Sequence, residues 1–561
     1  MSRFIDELLC TARGVGQTRG IVVGEPDRPV RRTWAVIHHE ARLMASALID
    51  AGVRHGSVVG MLAGGPALTA VASQAVWLSG GSLSMLHQPT PRTDLHVWVH
   101  DTVAMLRMIS SDLVLLAEPF EELAPVLAES GIDYRTIGRL AGAPICEPVP
   151  TAEDDPALVQ LTSGSTAEPK AVQITHGNLI ANIRAMVDRA RGDPYCDVFV
   201  SWLPTFHDMG MVGFLILPMT VGFELVKITP VEFLTKPLIW ADLITKYRGT
   251  VTSAPNFAYA IMAKRLSAVK DDRRFDFSTM RVMMSGAEPI NPADMSAFTT
   301  AAKRFGLDPR SIVAADGMAE VTVAASFEIN RGLEIDAVEA RALETDDRAI
   351  PIPTNAPRPS ADGVRVLAKL GRPLPGLEVR IVGDQGAVLT ERGVGEIHIR
   401  GASISPCYLT PDGPVDTRDA DGWLATGDLG YLADGQLVIC GRRKDVIMVG
   451  GRNIYPTDVE RAAATVDGVR ENCVVAVRTD PNTEWERFAV IVESPLAGHD
   501  EAEKELALAV SARVLAAVDA RPYRVVVVPK GSLPKTTSGK LRRAAAAARF
   551  AERLNRVAGS Q

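Results

Sequence analysis

The sequence predicts an α/β fold in two parts: a large multi-subdomain N-terminal domain of sheets flanked by helices, and a small mobile α+β C-terminal domain. Two observations carry this. Short apolar runs bounded by Gly, Pro or Asp alternate with helical patterns through most of the chain, as parallel sheets require. Near Gly441 the pattern changes to short strands around one helix. The boundary is placed between residues 1–441 and 442–561.

The elements follow in order. Residues 34–52 read as an amphipathic helix ending at Gly52. Val58-Val-Gly-Met-Leu, Leu113-Val-Leu-Leu, Val198-Phe-Val, Glu224-Leu-Val-Lys-Ile and Val282-Met-Met-Ser read as strands. The apolar stretch from Val58 to Leu86 is broken by Ser73, Gln74, Ser79 and glycines, which predicts a buried helix and strand, not a membrane span. Residues 328–370, rich in Glu, Asp, Arg and Pro, predict an exposed insertion or long loop. Cys473-Val-Val-Ala-Val, Phe488-Ala-Val-Ile-Val and Arg524-Val-Val-Val-Val are strands of the C-terminal domain, with a helix at 501–518.

The chain has 561 residues, 47% hydrophobic and 23% charged, which excludes wholesale disorder and a fibre. A net charge of −7 gives no global pull toward nucleic acid. Six cysteines without a Cys-x-x-Cys pair suggest neither a zinc site nor a disulfide framework, so buried free thiols are expected. The N-terminus carries acids and lacks a long apolar core, so no signal peptide is expected and a cytoplasmic enzyme is.

Leu161-Thr-Ser-Gly-Ser-Thr-Ala-Glu-Pro-Lys170 sits between an apolar strand and Val172-Gln-Ile-Thr. Small residues let the backbone turn its N–H groups inward. The hydroxyls of Thr162, Ser163, Ser165 and Thr166 and the charge of Lys170 add what a polyphosphate needs. Lys170 does not follow a glycine, so this is not the common GxxxxGK[ST] loop.

Seven further motifs follow. Ser201-Trp-Leu-Pro-Thr-Phe-His-Asp-Met-Gly210 precedes an apolar run suited to a cleft wall. Ser253-Ala-Pro-Asn-Phe-Ala-Tyr259 and Ser285-Gly-Ala-Glu-Pro289 end strand-like runs, where ligand loops of parallel sheets sit. Then come Asp316-Gly-Met-Ala-Glu320 and Thr426-Gly-Asp428. The latter leads through an Asp434-Gly435 hairpin turn to Gly441-Arg-Arg-Lys-Asp445. Gly450-Gly-Arg-Asn-Ile-Tyr-Pro456 and the basic loop Pro534-Lys-Thr-Thr-Ser-Gly-Lys540 close the series.

In this order the motifs resemble the adenylate-forming superfamily of acyl-CoA synthetases, luciferases and adenylation domains, over residues 30–545. The wording of Trp202-Leu-Pro-Thr-Phe-His-Asp-Met-Gly, Ala254-Pro-Asn-Phe-Ala-Tyr and Gly451-Arg-Asn-Ile-Tyr-Pro is most similar to the fatty acyl-AMP ligases. The resemblance implies that a fatty acid, long-chain by expectation, attacks the α-phosphorus of MgATP and releases pyrophosphate. The acyl group then passes to a carrier protein or polyketide synthase in trans. It also implies that the insertion hinders the rotated conformation used with coenzyme A. A fatty acid–CoA ligase and a catalytically weak nucleotide- or lipid-binding relative are the alternatives.

The same resemblance implies roles. Thr162, Ser163, Gly164, Ser165 and Thr166 with Lys170 would hold the β- and γ-phosphates. Glu320 would hold Mg²⁺. Ser285, Gly286, Ala287, Glu288 and Pro289 would line the adenine, together with Asp316, Gly317 and Met318. Asp428 would accept the ribose hydroxyls, with Arg442 nearby, and Lys540 would bridge the substrate carboxylate and the α-phosphate. Lys444 takes the hinge position. His207, Met209, Met211, Phe214 and Phe257 would wall the acyl tunnel. The sequence departs from the family pattern at Asp316, where an aromatic residue usually stacks on adenine, at Val321 and at Cys407.

Overall fold

A computed structural model describes residues 1–90, 93–140, 147–162, 169–353, 363–470, 472–479, 486–535 and 541–555. The N-terminal part holds two eight-stranded sheets and a four-stranded antiparallel sheet. The first large sheet runs Ala324–Phe327, Ile312–Gly317, Val282–Ser285, Val251–Ala254, Val198–Ser201, Glu224–Lys227, Gly20–Val23, Val30–Thr33. Its six central strands are parallel. Burial along these six strands is near-continuous, as strands covered on both faces require, while the edge strand Val30–Thr33 is largely exposed.

The second large sheet carries Val58–Leu62 between Ser82–Met85 and Leu113–Leu116. Pro156–Leu161 pairs with Ala171–Thr175, and the distant strand Cys407–Thr410 adds to that edge. One apolar core runs between the large sheets and the helices Trp34–Asp50, Pro66–Leu78 and His176–Ala190. Asp434 and Gly435 have φ of +56° and +73° and join Leu424–Ala433 to Gln436–Arg442 in the expected hairpin. No helix among the described residues is long and apolar enough to cross a membrane.

The C-terminal part has its own three-stranded sheet, Val474–Thr479, Arg487–Glu493 and Arg524–Val528. The helices Pro456–Ala464 and Asp500–Val518 cover it and bury Val459, Leu506, Val510 and Val514 in a separate core.

Two expectations need correction. Residues 328–370 are not simply a long loop. Ile335–Glu339 pairs antiparallel with Val364–Ala368, and Ala340–Thr345 forms a helical turn between them. Val338, Leu343, Ala349 and Leu367, scattered among charges in the sequence, converge on Tyr431, Cys440 and Tyr455 as a small core. Positions 354–362 lie outside the described residues. The thiols are also not uniformly buried: Cys10 and Cys196 are exposed and Cys407 is half-buried, while Cys440 and Cys473 are buried. Cys146 lies outside the described residues.

Candidate active site

The C-terminal ends of the parallel strands assemble the site, as the crevice rule for such sheets leads one to expect. Ser285 ends its strand, and its Oγ is buried without a hydrogen-bond partner among the described residues. An orphaned buried hydroxyl at the expected adenine segment fits a nucleotide that would complete it. Ala287, two residues on, has φ +68°, a left-handed turn that redirects the backbone across the crevice. Glu288 Oε1 accepts a 2.8 Å hydrogen bond from Phe257 N at the start of the helix Asn256–Ser267. That bond links the expected adenine and acyl segments. Pro289 follows Glu288 directly, and the carbonyl of the next residue, Ile290, accepts from Arg461 of the C-terminal part at 3.0 Å.

Gly317 lies where no side chain fits: a Cβ there would stand 2.0 Å from Val323 O. Beside it Asp316 is pushed up to about 6, mainly by burial, while Gly317 N–H and Arg442 oppose the shift. Met318 is half-buried against the core of the antiparallel sheet.

Lys170, Glu320 and Tyr408 form one cluster. Lys170 Nζ lies 3.5 Å from Glu320 Oε1 and 3.7 Å from the centroid of the Tyr408 ring. The same carboxylate oxygen accepts 2.8 Å from Tyr408 Oη. Tyr408 carries no motif signal in the sequence. Strand pairing brings it there, with Tyr408 opposite Val172. Thr162 N and Oγ1 both donate to Lys170 O, at 3.3 and 3.1 Å, so the two ends of the Ser/Thr/Gly loop are tied together. Ser163, Gly164, Ser165 and Thr166 lie outside the described residues, as does Lys540.

Asp428 and Arg442 face one another across the hairpin and pair at 2.9 Å. Burial pushes Asp428 up to about 7, and Arg442 opposes the shift. Asp316, Glu320 and Asp445 add negative charge that raises it further. A buried carboxylate in an acidic field is placed to accept hydroxyl donors. Among the described residues no group of three or more His, Cys, Asp or Glu side chains could cage a metal. One carboxylate, Glu320, suits Mg²⁺, which takes few protein oxygens and is otherwise held by phosphates and water.

Lys444 is held below the usual lysine range, mainly by burial. Arg442 and Lys170 push it the same way. Its carbonyl accepts 2.8 Å from Arg478 of the C-terminal sheet.

Of the expected acyl wall, Met209 to Ile216 forms a π-helical turn, a device frequent at functional sites. His207 is half-buried and its Nδ1 lies 2.6 Å from Asp208 Oδ1. Met209 Sδ accepts from Ser253 Oγ at 3.2 Å. Phe257 meets the Trp202 ring edge-on at 6.2 Å. Met211 and Phe214 sit within the main core, Phe214 5.6 Å from Phe199.

Lys170 and Glu320 thus come together near the buried, Arg442-paired Asp428, beyond the ends of parallel strands, a setting with the charges that a nucleotide-binding enzyme of the adenylate-forming class uses. The chain belongs to the AMP-binding enzyme family: the family model matches residues 12–409, and the model of the AMP-binding enzyme C-terminal domain matches 458–540. The Mycobacterium tuberculosis protein named "Putative ligase Rv1013" is 52% identical over 97% of this chain and 99% of its own. The medium-chain-fatty-acid–[acyl-carrier-protein] ligase TtuA of Teredinibacter turnerae is 32% identical, covering 71% of this chain and 64% of its own. A solved structure from a study of fatty acyl-adenylate ligases of E. coli and L. pneumophila superposes with a TM-score of 0.88 at 28% identity, over 99% of this chain and 98% of that one.

Proposed function

We propose that this adenylate-forming ligase is a fatty acyl-AMP ligase. It activates a fatty acid with MgATP, releases pyrophosphate, and passes the acyl group to a carrier protein or polyketide synthase in trans. One observation favours this over a CoA ligase. The segment from Ile335 to Ala368 is bonded to the start of the C-terminal part: Glu344 pairs with Arg452 at 2.6 Å and Arg365 with Asp458 at 2.7 Å. Arg365 also lies 3.9 Å over the Tyr455 ring. Such contacts oppose the domain rotation that a coenzyme A step would need.

In this reading residues 1–441 form the body, 442–561 the lid and Lys444 the hinge. Lys170 and the loop from Thr162 to Thr166 hold the outer phosphates, and Asp428 takes the ribose. Ser285–Pro289 and Asp316–Met318 line the base, and Glu320 would hold Mg²⁺, which neutralises phosphate charge when bound. Lys540 brings positive charge to the point of attack. His207, Met209 and Phe257 line the acyl path, with Met211 and Phe214 behind them. An enzyme acting on ATP fits a cytoplasmic setting.

The test is incubation with ATP, a fatty acid and coenzyme A. Accumulating acyl adenylate with little acyl-CoA is expected. Abundant acyl-CoA would overturn the reading in favour of the CoA ligase, and absent pyrophosphate exchange in favour of an inactive relative.

A further inference from the structure

Lys227 ends the strand Glu224–Lys227 in the middle of the first large sheet and is only 1% exposed. Its single hydrogen bond among the described residues goes to Leu203 O at 3.0 Å. An ammonium has three donors, so two are unused. Among the described residues no carboxylate acts on it, and burial pulls its amine down to about 7. Buried lysines without an acidic partner are rare and costly.

Its place in the sheet gives it a direction. Lys227 lies opposite Ser201. Val251 lies opposite Phe199, so Ser253 falls opposite Ser201 two residues further on. Residues in register on parallel strands share a face. Ser253 Oγ donates to Met209 Sδ, so that face looks toward the π-helical turn of the acyl path. With strands about 4.8 Å apart, Lys227 stands about 10 Å along the sheet from the Ser253–Met209 contact.

Buried donors in native proteins are almost always satisfied, so the two left over on Lys227 call for an acceptor that the described residues do not supply.

We propose that Lys227 forms a polar end to the acyl-binding path and selects acids that carry a second carboxylate away from the one being activated. This rests on the acid-activating reading above and names its substrate class. The second carboxylate would take the two unused Lys227 donors. An unbranched fatty acid would leave them unmet.

The experiment is ATP–pyrophosphate exchange with α,ω-dicarboxylic acids and the plain fatty acids of matching length, on the wild type and on Lys227→Met. The ratio of kcat/KM for diacid over plain acid is read within each protein, so a general loss of activity cancels. The expected wild-type ratio exceeds ten at one chain length, and Lys227→Met lowers it at least tenfold, chiefly through KM. A wild-type preference for plain acids, or a ratio unmoved in Lys227→Met, overturns the proposal and leaves adenylation intact. A buried water in place of the carboxylate would give that second result. Should Lys227→Met not fold, the wild-type ratio decides alone. Absent exchange with every acid would instead overturn the adenylation reading, and this proposal with it.

Discussion

Glu344 and Arg452 are joined by a 2.6 Å ion pair across the junction between the inserted strand–helix–strand and the first C-terminal hairpin. Glu344 is buried, and burial holds its carboxyl above the usual range. Removing one partner would strand a buried charge at a cost of about 3–5 kcal/mol, so both should be replaced together. The double variant Glu344→Ala, Arg452→Ala is expected to loosen the C-terminal part and raise acyl-CoA formation about tenfold over the wild type. Chromatography of products formed with coenzyme A present checks this. Unchanged product composition would show that this contact does not restrain the lid.

In the proposed role Asp428 must be ionised to accept ribose hydroxyls fully, and its ordinary value of 3.8 is raised to about 7. The carboxylate is therefore protonated progressively as pH falls through 7. The KM for ATP is expected to rise from pH 8 to pH 6, and Asp428→Asn to raise it at pH 8 and flatten the profile. Steady-state exchange at several pH values reads both, and an equally steep profile in Asp428→Asn would refute the assignment.

Lys540→Ala is expected to lower adenylation by at least about 10²–10³, the usual consequence of losing charge stabilisation at the reacting centre. The thermal midpoint should stay near that of the wild type. Near-normal turnover would contradict the role given to Lys540.

Gly317→Ala places a methyl 2.0 Å from Val323 O, a backbone atom that cannot swing away. The strand must shift, at a cost of about 3 kcal/mol. Chemical denaturation should show this loss, with a higher KM for ATP because Asp316 and Met318 flank the position.

Lys227 titrates near 7 in the folded chain and ordinarily at 10.5. The folded state thus binds fewer protons, and stability rises with pH between about 7 and 10.5. Lys227→Met lacks this burden. Each tenfold loss of proton affinity on folding corresponds to about 1.36 kcal/mol, so the variant should exceed the wild type in stability at neutral pH by roughly a few kcal/mol. The gap should close as pH rises toward 10. Melting curves at pH 7, 8.5 and 10 measure it. A gap that stays constant across that range would contradict the depressed amine.

Much of the fold was legible in the sequence. Val58–Leu62, Leu113–Leu116, Val282–Ser285 and Arg524–Val528 are strands at the predicted bounds. Each is a short, mainly apolar run, too short for a buried helix. Asp428 and Arg442 were legible because a hairpin turn sets their register. The inserted segment was not, because Val338, Leu343 and Leu367 lack periodicity and become a core only against Tyr431 and Tyr455. The role of Tyr408 is not legible in the sequence because its partners, Lys170 and Glu320, are far away along the chain and meet it only through strand pairing. Lys227 reads merely as part of a strand, since nothing local distinguishes a buried lysine from one at an edge.

The pairing of Cys407–Thr410 with Ala171–Thr175 has a consequence for how the chain comes to be made. During synthesis the Ala171–Thr175 strand emerges long before the strand that covers its edge. Until residue 410 leaves the ribosome, that edge offers unpaired backbone groups to any neighbouring chain. The pairing is non-local, so it forms late and slowly. Tyr408 arrives on the same strand, so a nascent chain that has already paired Pro156–Leu161 with Ala171–Thr175 still lacks the side chain against which Lys170 rests. Premature termination anywhere before that strand would therefore yield a sticky fragment with an incomplete site, not a smaller active enzyme.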